Sequence, residues 1–261
     1  MTIRPVETLE DPSLGPYRTL RRPLEHQREG IFVAEGEKVV RRLLESTLNV
    51  VSLLLTPEWL EVYRPALETK GGNVQTFVAP KRVVESIVGF HLHQGIMAVA
   101  HIPQPPSLAE ALERSARPRL FVAVEGLTNA ENLGVLVRNC AAFDVDALLV
   151  SETSSSPYLR RAVRNSMGTV FRLPIVQLSG LLESIQEIRS AHGVRVIAAH
   201  PHTDQNTLHR ASFGVDCCLV FGSEGEGVSA EVLAACDEAA AIPMKDGVDS
   251  LNVASASAVF L

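Results

Sequence analysis

The chain has 261 residues, of which 46% are hydrophobic and 21% charged, and its formal net charge at pH 7 is −6. This composition excludes a largely disordered chain, and the length allows one large domain or two smaller ones. Taken as a sum, the acidic charge argues against a nucleic-acid partner, because phosphate binding depends on lysine and arginine. The first residues lack the apolar core of a signal peptide and no apolar run reaches about 20 residues, so we expect a soluble cytoplasmic protein that does not enter a membrane.

Short apolar runs alternate with helical patterns along the whole chain. In the first hundred residues we predict strands at 31–34, 50–55, 74–78 and 95–100, and helices at 37–44 and 81–88. Beyond them we predict strands at 120–124, 147–150, 170–174, 194–199, 217–221 and 239–242, and helices at 107–116, 133–143, 158–166, 180–190, 229–235 and from 252. This alternation predicts α/β domains with a parallel sheet.

A cluster of prolines at 103, 105 and 106 interrupts the alternation. Because proline cannot donate a ladder hydrogen bond, we place a domain boundary there, which gives domains 1–103 and 104–261. Ser107 follows as the predicted N-cap of a helix, with Glu110 completing a capping box.

Charge is segregated along the chain. Residues 153–182 contain four arginines and no acid, whereas residues 216–249 contain eight acids and one lysine. Arginine is well suited to binding phosphate, so a protein that is acidic overall can still offer a basic face to RNA.

The cysteines and histidines do not form a strong metal-binding pattern. The cysteines lie in apolar runs without C-x-x-C spacing, so we predict buried side chains at Cys140, Cys217, Cys218 and Cys236. Two histidine pairs have i, i+2 spacing without a third ligand nearby, namely His91 with His93 and His200 with His202. We therefore predict no metal site.

Three segments that follow predicted strands carry the candidate chemistry, because ligands of open α/β sheets bind beyond the carboxyl ends of the strands. The first segment starts at Glu125 and contains Asn132, the predicted N-cap of a helix, and Arg138, which lies off the apolar stripe of that helix. Composition alone would make Arg138 an ordinary exposed arginine.

The second segment is a loop with three glycines, Gly222, Gly225 and Gly227. Glycine lets the backbone approach a ligand closely. The spacing G-x-x-G-x-G differs from that of dinucleotide-binding loops, and Glu224 and Glu226 would repel a pyrophosphate. A positively charged nucleoside without phosphates, such as S-adenosylmethionine, fits better.

The third segment follows the strand that ends at Ile242. Ser250 and Asn252 open a helix of small residues, which permit close packing against another backbone. An ordinary capped helix in a tight core explains the same pattern.

In this order and at this spacing, the three segments resemble the three sequence motifs of the SpoU family of RNA ribose 2′-O-methyltransferases, in the SPOUT superfamily. The resemblance covers residues 119–261, and residues 160–174 resemble the arginine-rich stretch of the family. Residues 18–100, through the segments 29–36 and 93–98, resemble more loosely the L30e-like substrate-binding domain that precedes the catalytic domain.

The resemblance implies a parallel-sheet α/β catalytic domain with a trefoil knot, preceded by a smaller L30e-like α/β domain. It implies S-adenosylmethionine as cofactor, RNA as substrate and a homodimer. The catalytic positions that it implies are Asn132, Arg138, Glu224, Ser250 and Asn252. The cofactor-binding positions are Gly222, Glu224, Gly225, Ile242, Met244, Leu251 and Asn252. The RNA-binding positions are Arg160, Arg161 and Arg164.

Methyl transfer from a sulfonium is an in-line displacement that needs no metal but requires an oriented ribose hydroxyl. A guanidinium pKa above about 12 makes a neutral arginine costly. We therefore expect Arg138 to bind the adjacent phosphate and orient the hydroxyl, while proton loss is aided by that phosphate or by water.

Two features depart from the family pattern. Asn129 is followed by Ala130 where the family has proline, which we expect to loosen the loop. The chain also ends at Leu261 within a predicted helix, for which we expect a truncated sequence or a shortened helix.

Several alternatives stay open for the function. The RNA could be rRNA or tRNA, and the extra N-terminal domain favours rRNA, with 23S rRNA expected. A non-catalytic RNA-binding protein on the same fold would not need Asn132, Arg138 and Asn252 together. A nicotinamide-dependent dehydrogenase would need a different glycine spacing.

Overall fold

The structure is a computed structural model that describes residues 2–8, 10–70, 74–88, 95–201, 206–214 and 216–261. By its internal contacts the chain divides into two units. The first comprises Met1–Pro103 and Tyr158–Phe171, and the second comprises Gln104–Pro157 and Arg172–Leu261. The histidine positions 91, 93 and 202 lie outside the described residues. No helix in the described ranges is long and apolar enough to cross a membrane.

The first 103 residues form a mixed five-stranded sheet. Its strands are β1 (Thr2–Pro5), β2 (Ile31–Glu35), β3 (Val50–Leu55), β4 (Gln75–Val78) and β5 (Ile96–His101). The helices are α1 (Gly15–Arg18), α2 (Pro23–Arg28), α3 (Glu37–Glu45), α4 (Pro57–Lys70) and α5 (Lys81–Val88). In the order β1-β4-β3-β5-β2, the first three strands are parallel, and β5 runs antiparallel to both of its neighbours.

The described residues of the second unit contain a six-stranded sheet in which all neighbouring strands are parallel. Its strands are β6 (Leu120–Val124), β7 (Ala147–Val150), β8 (Ile175–Gln177), β9 (Arg195–Ala199), β10 (Cys217–Phe221) and β11 (Glu238–Ala240). The helices are α6 (Leu108–Arg114), α7 (Ala130–Ala142), α8 (Arg160–Asn165), α9 (Leu181–His192), α10 (Ala230–Ala235) and α11 (Val253–Phe260), of which α8 belongs to the first unit. The order is β11-β9-β10-β6-β7-β8, so β6 and β10 lie at the centre. The predicted parallel α/β class is confirmed.

The core of the second unit follows from the apolar faces of its helices. Leu112 of α6, Ile185 of α9 and Val232 of α10 pack in one cluster with Phe121 of β6 and Val220 of β10. Burying one such side chain contributes about 1.5–3 kcal/mol. The predicted capping box of α6 is present, and it fixes where that helix begins.

The start of α7 and the predicted strand at 170–174 were wrong in the sequence analysis. Asn129, not Asn132, caps α7, because its side chain accepts hydrogen bonds from the backbone of Glu131 and Asn132. Thr169–Phe171 form a 3-10 turn whose apolar side chains are buried, and β8 begins only at Ile175. Pro174, which has no N–H to donate, contributes to the sheet only through its carbonyl oxygen, which accepts the N–H of Leu148 at 2.9 Å.

The cysteine prediction is confirmed for three positions, since Cys140, Cys217 and Cys218 are buried while Cys236 is half-buried. Burial raises the pKa of the Cys217 and Cys236 thiols to about 12. These thiols therefore stay protonated and inert near neutral pH.

Candidate functional site

A glycine loop, residues 222–228, leaves the end of β10 and folds back on itself. The backbone N–H groups of Ser223 and Gly227 each donate to the other residue's carbonyl oxygen at 3.0 Å. A Cβ added to Gly222 would lie 2.0 Å from the carbonyl carbon of Gly227, so only glycine fits at position 222. The loop is therefore closed at its base, and its tip, which carries Glu224 and Glu226, is exposed.

A chain of hydrogen bonds joins one residue from each of the three predicted segments. Asn132 on α7 donates through Nδ2 to Oε1 of Glu224 at the tip of the glycine loop. Asn252 donates through Nδ2 to Oδ1 of Asn132 at 3.1 Å. Asn252 also caps α11, since its Oδ1 accepts the N–H of Ala254 at 2.9 Å. Three side chains that the sequence analysis assigned to one site therefore lie together.

Arg138 lies on the same helix as Asn132 and is exposed. Within the described part of the chain its side chain forms no hydrogen bond and no ion pair. Its guanidinium therefore keeps its donors for a ligand, and guanidinium donors match the oxygens of a phosphate in a bidentate way.

A cavity of about 280 Å³ lies between the glycine loop and the segment that leads into α11. Its described lining comprises Ala199, His200, Pro201, Phe221, Gly222, Ser223, Glu224, Gly225, Glu226, Gly227, Ala240, Ile242, Met244, Asp249, Ser250, Leu251, Val253, Ala256 and Phe260. Every predicted cofactor-binding residue lines this cavity except Asn252, which is not part of the wall. Asn132 and Arg138 also lie outside the lining.

The charge of the cavity restricts its ligands. Glu224, Glu226 and Asp249 contribute carboxylates, and the described lining contains no lysine or arginine. Apolar surface comes from Phe221 and Phe260, whose rings meet edge to face at 5.7 Å. This wall fits a cationic ligand with an apolar body and disfavours a pyrophosphate. A sulfonium-bearing nucleoside meets both conditions.

The loop that leads from β6 into α7 is held by hydroxyl groups that follow β7. The N–H of Leu127 donates to Oγ of Ser154 at 3.1 Å, and the N–H of Ser155 donates to the carbonyl of Leu127 at 3.0 Å. Oγ of Ser155 donates to the carbonyl of Thr128 at 2.8 Å. These bonds restrain the backbone just before Ala130, where the replacement of the family's proline by alanine led us to expect a looser loop.

Asn139 on α7 is a site residue that the sequence analysis missed. Its Nδ2 donates to the carbonyl of Ala254 at 2.8 Å and to Oγ of Ser257 at 2.9 Å. Both acceptors belong to α11, so Asn139 fixes α7 against the helix that Asn252 caps. The local sequence carried no signal for this role, because Asn139 lies off the apolar stripe of α7, where a polar residue is ordinary.

The predicted RNA-binding arginines differ in their surroundings within the first unit. Arg160 binds Oε2 of Glu35 at 2.5 Å, and its side chain is only 18% exposed. Arg164 binds Oε1 of the same carboxylate at 3.2 Å and is 53% exposed, while Arg161 is exposed. Glu35 itself is 6% exposed, so Arg160 and Arg164 neutralise a buried charge.

Ser250 lies in the exposed segment before α11, where it lines the cavity. Among the described residues, no group of three or more histidine, cysteine, aspartate or glutamate side chains is arranged to hold a metal ion.

Sequence comparison identifies related proteins. The family described as the SpoU rRNA Methylase family matches residues 119–261. An uncharacterized tRNA/rRNA methyltransferase of Mycobacterium tuberculosis is 33% identical over 257 residues, which cover 96% of this chain and 87% of the relative. The 23S rRNA (guanosine-2′-O-)-methyltransferase RlmB of Ralstonia nicotianae is 30% identical over 193 residues, which cover 74% of this chain and 77% of the relative.

Structure comparison gives the same fold. The AdoMet-bound rRNA methyltransferase from Sinorhizobium meliloti has a TM-score of 0.84 at 22% identity, covering 99% of this chain and 95% of the other. The SpoU methyltransferase AviRb from Streptomyces viridochromogenes, in complex with AdoMet, has a TM-score of 0.82 at 22% identity, covering 96% of each chain. At these identities the likeness concerns the fold.

Proposed function

We propose that this chain, which belongs to the SpoU rRNA methylase family, transfers a methyl group from S-adenosylmethionine to a ribose 2′-hydroxyl of structured RNA. The predicted family and the predicted enzyme class, an RNA methyltransferase, are confirmed by the family match and the relatives. The observation that carries the proposed reaction is the hydrogen-bonded chain from Glu224 through Asn132 to Asn252, at the rim of an acidic cavity.

The cavity is the proposed cofactor site. When bound, S-adenosylmethionine would supply a methyl group on a positively charged sulfur; transfer to the ribose oxygen would break the sulfur–methyl bond, leave the neutral thioether S-adenosylhomocysteine and release the hydroxyl proton. The carboxylates of Glu224, Glu226 and Asp249 stabilise a positive charge in the cavity. Ile242 and Met244 offer apolar side chains, and Gly222, Gly225 and Gly227 have no side chain that would keep a ligand away from the loop backbone.

Arg138 is the proposed phosphate-binding residue. Its exposed guanidinium binds the phosphate next to the target ribose and so orients the 2′-hydroxyl. Holding the hydroxyl in line with the methyl group lowers the barrier to transfer without a metal. Proton loss is then aided by that phosphate or by water, because a guanidinium is a poor general base. Asn132 and Asn252 keep α7 and the start of α11 in place at the cavity rim, and Ser250 lines the cavity next to them.

The proposed substrate is 23S rRNA. This choice is supported by the relative from Ralstonia nicotianae, which shares 30% identity over 74% of this chain. It is also supported by the first unit, which we propose as an L30e-like domain that binds the RNA. The homodimer and the trefoil knot stay predictions; light scattering of the purified protein measures the oligomeric state.

Mapping of ribose methylation in cells with and without the gene tests the substrate. We expect one 2′-O-methylated nucleotide of 23S rRNA to disappear when the gene is deleted and to return with the wild-type gene. Loss of a tRNA 2′-O-methylation instead would contradict the rRNA assignment but agree with the proposed reaction. Failure of the purified protein to methylate any RNA while it still binds S-adenosylmethionine would favour a non-catalytic RNA-binding protein.

A further inference from the structure

Glu125 closes the glycine loop at both of its ends. Its backbone N–H donates to the carbonyl oxygen of Phe221, the residue before the loop, at 2.9 Å. Its side-chain Oε2 accepts the N–H of Ser229, the residue after the loop, at 2.8 Å. Glu125 directly follows β6, a central strand whose hydrogen bonds to β10 continue up to Phe221. The carboxylate therefore ties the outgoing end of the loop to the middle of the sheet.

The position of the loop determines where Glu224 lies. Between the two anchors, the bonds between Ser223 and Gly227 close the base of the loop and leave a short tip that carries Glu224. The next residue of the first segment also packs against the loop, since a Cβ on Gly126 would lie 3.3 Å from Cβ of Ser223. A shift of the outgoing end would therefore move the tip away from Asn132.

We propose that Glu125 is a positioning residue for the cofactor cavity, which holds the glycine loop so that Glu224 meets Asn132 and the loop backbone lines the cavity. Glu125 does not line the cavity itself. A carboxylate that accepts a backbone N–H forms a stronger bond than a neutral acceptor does, so glutamate suits this position. The inference rests on the proposed function, because it assigns Glu125 to the S-adenosylmethionine site.

The chain offers a matched control in the same unit. Glu110 accepts the N–H of Ser107 through Oε2 at the same distance, 2.8 Å, at the start of α6. Its bond has the same chemistry as that of Glu125, but it holds a helix that contributes nothing to the cavity. The substitution Glu110→Ala also removes the bond from the Ser107 hydroxyl and the pair with Arg114, so it gives an upper limit for the general cost of losing such a bond.

The test compares Glu125→Ala, Glu125→Asp and Glu110→Ala by calorimetric titration with S-adenosylmethionine and by hydrogen exchange without ligand. Aspartate is one methylene shorter than glutamate, so Glu125→Asp keeps the negative charge but does not reach the N–H of Ser229. It also provides a second variant in case Glu125→Ala folds poorly. We expect both Glu125 variants to weaken S-adenosylmethionine binding about tenfold and to speed amide exchange in residues 222–229. Glu110→Ala keeps the wild-type affinity and speeds exchange only near Ser107.

Catalysis supplies a second readout. Glu125→Asp should lower kcat with an unchanged KM for RNA, and its effect should shrink when Glu224→Ala is already present, because both act through the same loop. Wild-type affinity together with wild-type loop exchange in Glu125→Asp would overturn the inference. The inference would also be overturned if Glu125→Asp lowered kcat by the same factor whether or not Glu224→Ala was present. A wild-type protein that neither binds S-adenosylmethionine nor methylates RNA would instead contradict the proposed function.

Discussion

Asn252 donates a hydrogen bond to Asn132 across a separation of 120 residues in the chain, at 3.1 Å. Asn132 in turn donates to Glu224, so one amide side chain connects the helix of the first segment with both later segments. The amide nitrogen and the amide oxygen of both asparagines each have a hydrogen-bond partner, and these partners determine the orientation of both amides. This arrangement gives the rim of the cavity a fixed geometry.

Substitutions of Asn252 should separate its two bonds. Asn252→Ala removes the cap of α11 and the bond to Asn132, so it should destabilise the protein by about 1 kcal/mol and lower kcat. Asn252→Asp keeps an oxygen for the N–H of Ala254 but places a carboxylate against Oδ1 of Asn132. We expect wild-type stability and a kcat about tenfold lower, measured by thermal unfolding and methyl transfer.

The control for these variants is Ser107→Ala, which removes the N-cap of α6. It should cost similar stability and leave kcat unchanged. Equal loss of kcat in Ser107→Ala and Asn252→Asp would show that general loosening explains the effect.

Arg138 should matter for catalysis and not for stability. Arg138→Ala leaves the unfolding free energy within about 0.5 kcal/mol, because the side chain is exposed. It should lower kcat about 100-fold, since the ribose is no longer oriented. Arg138→Lys should keep only a small part of the wild-type kcat, because an ammonium cannot bind phosphate in a bidentate way. Near-full turnover by Arg138→Lys, measured under saturating RNA, would contradict this role.

Gly222 should tolerate no side chain. In Gly222→Ala the added Cβ meets the backbone of Gly227, so the base of the loop must open. We expect binding of S-adenosylmethionine to fall below detection in calorimetry while the first unit stays folded. Gly15→Ala is the matched substitution, since a Cβ there has no neighbour within 4 Å and the backbone is helical. Wild-type affinity of Gly222→Ala for S-adenosylmethionine would contradict the close approach of Gly222 to the backbone of Gly227.

Glu35 should contribute strongly to the stability of the first unit. Glu35→Ala leaves the charges of Arg160 and Arg164 without their buried partner, which should cost about 3–5 kcal/mol in the free energy of denaturant unfolding. Glu61→Ala breaks the exposed pair with Arg64 and should cost less than about 1 kcal/mol. Similar losses in the two variants would mean that the Glu35 pair is no stronger than a surface pair.

The sequence predicted most of what forms the cavity, because strand ends and glycine spacing are local signals. Glu224, Asn132 and Asn252 each follow a predicted strand, and in a parallel sheet these ends meet at one edge. The cap at Asn129 was missed because Asn132, three residues later, is an equally good capping residue. The helix α4 was missed because Pro65 lies inside it.

Long-range pairs could not be predicted in the same way. Glu35 and Arg160 are 125 residues apart, and nothing in their local sequence shows that one carboxylate binds two arginines. We therefore predicted that the arginines of this segment bind RNA, although part of the segment packs within the first unit. Glu125 and Asn139 also act through partners that only the folded chain brings near them.

The most direct test of the account is to identify the nucleoside that the purified protein methylates. Ribosomal RNA is incubated with the protein and S-adenosylmethionine that carries a deuterated methyl group, and then digested to nucleosides for mass spectrometry. We predict label on the ribose of a 2′-O-methylnucleoside, and an initial rate of labelling about 100-fold lower with Arg138→Ala. Label on a base would contradict this prediction, as would equal labelling by the wild-type protein and Arg138→Ala.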